Sequence, residues 1–120
     1  MSLRNASSIN VVRLNSSLAP GGTATFNVSY IAYGPNGAPV EADPVKVQAT
    51  VFRPDGATLV GTHPAEPTDS PEVVVSQLWR GHYAVQVYLG DIVGRWRMRI
   101  TTNDGYGPTG EVEFQVVPAT

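Results

Sequence analysis

The run Arg95-Trp96-Arg97-Met98-Arg99-Ile100 spaces three guanidinium groups two residues apart. In extended backbone that spacing puts them about 7 Å apart on one face. Such a row of planar, permanently charged forks can grip an acidic protein surface or phosphates through bidentate contacts. The intervening Trp96, Met98 and Ile100 then point the other way, into a core. The alternative use of the row is structural. Glu111 and Glu113 lie on the next strand-like run and can neutralise it, each pair contributing roughly 0.2–1 kcal/mol.

Other chemistries find less to work with. Nucleophilic catalysis of the Ser-His-Asp kind needs a histidine between a carboxylate and a serine. The chain offers only His63, in a proline-rich stretch, and His82, beside an inward Tyr83, and no Gly-x-Ser-x-Gly elbow. Both histidines read as solvent-facing. Glu41 and Asp43 form one carboxylate group; Glu66, Asp69 and Glu72 form another. A glycosidase needs two carboxyls across a cleft, and these read instead as solvated loop charges. Calcium takes six to eight oxygens, and neither Glu66, Asp69 and Glu72 nor Asn103 and Asp104 follow an Asp-x-Asp-x-Asp-Gly spacing. No cofactor, metal or catalytic residue is expected, and the chain is read as no enzyme. For sugars the candidates are Tyr33, Trp79, Tyr88 and Tyr106, which are scattered along the sequence. That leaves Arg95, Arg97 and Arg99 as the binding candidates.

The elements that must position these residues are short strands. Thr23 to Tyr33, Val45 to Phe52, Tyr83 to Leu89, Gly94 to Ile100 and Glu111 to Val116 all alternate with period two. Val45, Val47, Ala49 and Val51 are expected inward on one of them. Weaker runs lie at Ile9 to Leu14, Thr58 to Gly61 and Glu72 to Leu78. Turn signals recur roughly every 8–12 residues, as in a two-sheet antiparallel sandwich. Gly34 to Pro44 reads as a long loop. The arginine run and the last strand form a hairpin around Asn103-Asp104-Gly105-Tyr106-Gly107. With the turn centred near Tyr106, Ile100 opposes Val112, Met98 opposes Phe114 and Trp96 opposes Val116. Arg99 then faces Glu113 and Arg97 faces Gln115, leaving Arg95 and Arg97 without a carboxylate opposite.

The chain has 120 residues, no cysteine, 12 glycines, 10 prolines and a net charge of −2. This is one domain, large enough to bury a core without disulfides. The charge balance argues against nonspecific nucleic-acid binding. No apolar run is long enough for a membrane-spanning helix, and the start lacks the apolar segment of a signal peptide. We expect a polar arm over residues 1–8 and one domain over residues 9–118.

The segment Val45-Lys46-Val47-Gln48-Ala49-Thr50-Val51-Phe52-Arg53-Pro54-Asp55-Gly56 resembles a strand and turn of bacterial and phage immunoglobulin-like domains. Gly81-His82-Tyr83-Ala84-Val85 followed by Gly94-Arg95-Trp96-Arg97-Met98-Arg99-Ile100 is similar to their G-x-Y-x-V … G-x-W-x-x-x-I ending. The similar part spans roughly residues 20–117. Two features depart from it. The acidic residue expected two before the glycine is Trp79, and the antibody-type cysteine pair is absent. The resemblance implies an all-β, antiparallel two-sheet immunoglobulin-like sandwich of about seven to eight short strands. It further implies a non-catalytic virion component, a capsid decoration or a neck or tail protein, that binds other virion subunits or copies of itself. The expected partners include no specific nucleic acid and no membrane. The alternative is a cell-surface adhesion or carbohydrate-binding module, which would cluster its aromatics on one face.

Overall fold

The computed structural model describes residues 7–14, 18–33, 36–103 and 107–118. Among them are nine strands: β1 (Ser7–Arg13), β2 (Thr23–Tyr33), β3 (Pro39–Glu41), β4 (Val47–Phe52), β5 (Thr58–His63), β6 (Val73–Trp79), β7 (His82–Tyr88), β8 (Gly94–Thr102) and β9 (Gly110–Val116). They form two antiparallel sheets. The first runs β1-β2-β7-β6 with β3 beside β2, and the second runs β5-β4-β8-β9. The fold is the expected all-β immunoglobulin-like sandwich. Of the segment expected as an arm, Ser7 and Ser8 belong to β1, and residues 1–6 lie outside the described residues.

Alternation builds the core. Ala24, Phe26 and Val28 of β2 and Tyr83, Val85 and Val87 of β7 are buried from the first sheet. Val47, Ala49, Val51, Trp96, Met98, Ile100, Phe114 and Val116 meet them from the second. Phe114 joins the layers, its ring centroid 5.2 Å from Phe26 and 5.8 Å from Trp96. The buried indole N–H of Trp96 donates to the Ile92 carbonyl at 3.2 Å, so no polar group is stranded there.

Three local expectations change. Pro39–Glu41, inside the stretch read as loop, is a strand paired with Ile31 to Tyr33. Proline suits this place because the first residue of an edge strand need not donate to the ladder. Val45 is 84% exposed instead of inward. Its N–H donates to the Asn103 side chain at 2.6 Å, which holds the approach to β4 outside the ladder. Asn103 itself takes a left-handed backbone (φ 53°), which asparagine tolerates.

The third change is the β8–β9 register. Ile100 pairs with Gly110, Met98 with Val112, Trp96 with Phe114 and Gly94 with Val116. Each β8 residue therefore meets a β9 residue two positions earlier than expected. The connection closes tightly: the Gly107 N–H donates to the Thr102 carbonyl at 3.0 Å and the Thr102 hydroxyl to the Pro108 carbonyl at 2.9 Å. Asp104, Gly105 and Tyr106 lie outside the described residues. A slip of two keeps every side chain on its face, so alternation alone cannot detect it.

The two sheets also meet along one flank. A Cβ on Gly110 would sit 2.9 Å from Ile9 and 3.1 Å from Val11, and the Val117 N–H donates to the Leu18 carbonyl at 3.1 Å. β9 thus starts beside β1 and advances in the same direction.

Candidate functional site

The shifted register decides what the arginines face. Arg99 pairs with Glu111, Arg97 with Glu113 and Arg95 with Gln115. The expectations that Arg99 faces Glu113 and that Arg97 lacks a carboxylate are thereby corrected. Glu111 reaches both inner arginines, at 3.0 Å from Arg99 and 3.9 Å from Arg97. The outward Phe52 of β4 lies beneath them, with the Arg97 and Arg99 guanidinium carbons 4.4 and 5.6 Å from its ring centroid. This cation–π contact and the ion pairs hold two of the three arginines flat on the sheet. Arg95 stands exposed at the end of the row, beside a shallow recess of about 230 Å³ shared with Glu113, Phe114 and Gln115. Among the described residues Arg95 makes no ion pair.

The carboxylates of the two loops hold the fold together. Asp69 accepts from the Thr62 hydroxyl at 2.7 Å, the Thr62 N–H at 3.2 Å and the Glu66 N–H at 3.0 Å. Burial pushes its pKa up, but these hydrogen bonds and nearby Lys46 outweigh burial and hold it below the usual aspartate value. Glu66 itself pairs with Lys46 at 2.7 Å.

Asp43 is the more consequential acid, and the expectation that it is a solvated loop charge is corrected here. Its Oδ1 accepts from the Gly81 N–H at 2.7 Å, the Gln77 amide at 2.8 Å and the Tyr83 hydroxyl at 3.2 Å. The Gly81 bond is the main reason its pKa is lowered. Burial, with the Asp43 charge opposite, pushes the Tyr83 phenol up to about 12. The acid that the resemblance seeks at position 79 is thus supplied by Asp43, 40 residues upstream of Tyr83. The available signal was Tyr83 itself, since a buried phenol needs a partner. Gly81 completes this corner. It takes φ +78°, and a Cβ would sit 2.9 Å from the Tyr30 carbonyl oxygen.

Freed of that acid, position 79 carries an indole on the surface. Trp79 is 59% exposed, just past a bulge in β6, and pairs with His82. The two rings lie 4.8 Å apart at 35°. His82 is half-buried, its Nδ1 3.3 Å from the Ser29 hydroxyl. Sequence reasoning put His82 on the outer face, as found. His63, expected in a loop and in solvent, instead ends β5 half-buried, its ring 5.6 Å from that of Tyr83.

Cross-strand rows spread from this pair over the outer face of the first sheet. Asn10, Ser29, His82 and Trp79 form one row; Val12, Asn27, Ala84 and Ser76 form the next; Thr25, Gln86 and Val74 form a third. Tyr88, opposite Thr23, closes one end of the face, and Tyr33 of β2 lies toward the other. Three of the four aromatics that were scattered in sequence therefore share a face; Tyr106 lies outside the described residues. These three rows contain no aspartate, glutamate, lysine or arginine, and the next row toward Tyr33 pairs Ile31 with Glu41. Beside His82 the face has a notch of about 260 Å³ lined by Tyr30, Ile31, Pro39, Val40 and His82. It lies where β2 changes partner, from β7 up to Ser29 to β3 from Ile31.

No family model matches the chain, and no curated protein matches it in sequence. In three dimensions it is similar to the filamin domain of Lin-41, with a TM-score of 0.58, 19% identity, and 92% of this chain and 93% of that one covered. It is also similar to the archaellum periplasmic stator protein complex FlaF and FlaG from Sulfolobus acidocaldarius. There the TM-score is 0.51, with 14% identity over 95% of this chain and 92% of that one. The fold is an immunoglobulin-like, filamin-type β-sandwich.

Proposed function

We propose that the chain is a non-catalytic interaction module that binds protein subunits of a larger assembly through the outer face of its second sheet. The observation that supports this reading is the state of the arginine row. Glu111 and Phe52 fix Arg97 and Arg99, while Arg95 at the open end has Gln115 opposite it. A pre-ordered row of alternating charge with one uncommitted guanidinium suits an acidic patch on a protein, where charge complementarity sets register and on-rate. Arginine is also enriched at protein interfaces. The more specific form of the reading is a virion component, a capsid decoration or neck or tail protein. It rests on the sequence resemblance to phage immunoglobulin-like domains.

The test is light scattering of the purified protein, alone and with purified candidate particles. Saturable binding that weakens about tenfold in Arg95→Glu and falls with salt is expected. A protein that ignores the particles at low salt overturns the virion form. Binding that Arg95→Glu leaves unchanged overturns the role of the arginine face. A second reading, a carbohydrate-binding or adhesion module, is favoured by one observation: Tyr33, Trp79 and Tyr88 share the outer face of the first sheet.

A further inference from the structure

We infer that the outer face of the first sheet is a binding site for a neutral glycan chain, with Trp79 as its stacking platform. This rests on the second reading above and is independent of the arginine face.

Trp79 is exposed and also held in place. The Gln77 amide donates to its carbonyl at 3.4 Å, His82 backs its ring at 4.8 Å, and Ser29 steadies His82 at 3.3 Å. The indole nonetheless remains 59% exposed. An aromatic plane fixed in advance loses little conformational entropy when a ligand stacks on it. A pyranose ring fits such a plane because its C–H face is apolar while its edges carry hydroxyls.

The surroundings of the indole select among ligands. The row of Trp79 itself and the Asn27 row beside it offer hydroxyls and amides, from Ser29, Asn27, Asn10 and Ser76, and no formal charge, while Glu41 holds the register position opposite Ile31 in the row on the other side. A phosphate or an acidic sugar would call for several lysine or arginine forks; the arginine row lies on the other sheet, and the one guanidinium next to Trp79, that of Arg80, has the Asp43 charge acting with it. A protein contact centred on Trp79 would have to dry these polar side chains, at a cost for each one left unpaired. Hydroxyls of a neutral sugar can hydrogen-bond to them. The site is also long. Tyr88 lies about 20 Å from His82 along β7, which suits several sugar units in a row. The notch against Ile31, Pro39 and Val40 bounds the other end.

The two tryptophans provide the assay. Trp96 is fully buried, so acrylamide quenching of tryptophan fluorescence reports on Trp79. The probes are the hexasaccharides of β-1,4-glucose, α-1,4-glucose, β-1,4-N-acetylglucosamine and β-1,4-mannose, with heparin and polygalacturonate hexamers as anionic comparators. At least one neutral probe is expected to shield Trp79 and bind with saturation, while the anionic probes bind at least tenfold more weakly. Trp79→Ala should lower the affinity at least tenfold at an unchanged melting temperature, Trp79→Tyr should retain most of it, and Arg95→Glu should leave it unaltered. No binding by any neutral probe, a preference for the anionic ones, or full binding by Trp79→Ala overturns the inference. So does self-association or particle binding that Trp79→Ala abolishes in a protein that takes up no glycan; that outcome gives the face to a protein partner. Retained particle binding through Arg95 alongside any of these failures leaves the assembly reading intact.

Discussion

The two outward faces of this sandwich share one core and use their polar groups in opposite ways. On the second sheet Arg97 and Arg99 converge on Glu111 across Phe52, so the charges largely answer one another. On the first sheet the row of Trp79 and His82 and the two rows toward Tyr88 are free of formal charge and carry hydroxyls, amides and exposed aromatics. Both arise from the same alternation, because a strand that buries every second residue leaves the others to be chosen for what they meet. The charged face stabilises its own hairpin, with Arg95 as the remainder. The neutral face offers donors, acceptors and an indole to something outside.

The strongest way to break this contrast is to remove what the faces share. Trp96→Ala empties the centre of the core and should cost about 3–5 kcal/mol. Urea unfolding should show the loss, and both faces should lose binding together. If one face kept its ligand, the shared-core picture would be wrong.

Asp43→Ala should act mainly on the first sheet, where it releases Gly81, Gln77 and Tyr83, and should cost about 1–3 kcal/mol. Its folded pKa is below the ordinary 3.8. The carboxylate therefore stabilises the fold above that value, and this contribution disappears as pH falls below it. Acid titration of the variant should show a shallower decline than the parent.

Tyr83→Phe tests the same corner from the alkaline side, at about 1–2 kcal/mol. The phenol ionises near 10 when unfolded and near 12 when folded. Its contribution is complete below pH 10 and declines as pH rises from there to 12. The variant should lose that decline in alkaline unfolding curves.

Glu111→Gln should cost roughly 0.2–1 kcal/mol at low salt and almost nothing at 1 M, because the exposed pairs it breaks are screened. Ser29→Ala on the neutral face should show no such salt dependence. Smallest of all, Trp79→Ala should change stability by less than about 0.5 kcal/mol. A larger loss would mean the indole is structural and would weaken its reading as a platform.

Period-two patterning made most of this legible from the chain: the class, the sandwich and the inward set on β2, β7, β8 and β9. It could place the hairpin only to within a multiple of two. The partner of Arg97 was therefore missed, since a two-residue slip keeps both faces and changes every pair. β3 and the role of Asp43 depend on chain segments that meet only after folding; the inward Tyr83 phenol signalled that a partner was needed but not which residue supplies it. The aromatic face was hidden for the same reason. Tyr33, Trp79 and Tyr88 stand far apart in sequence and come together through the order of β2, β7 and β6.

The same-direction course of β1 and β9 bears on mechanics. β1 leads away from one pole of the sandwich at Ser7, and β9 reaches the other pole at Val116. Tension applied between those two points runs along the strands and across the hydrogen bonds of the β1–β2 and β8–β9 ladders. Each of those ladders has seven paired positions, and all seven would bear the load together instead of unzipping in turn. A module pulled at these ends would resist force as a lap joint does.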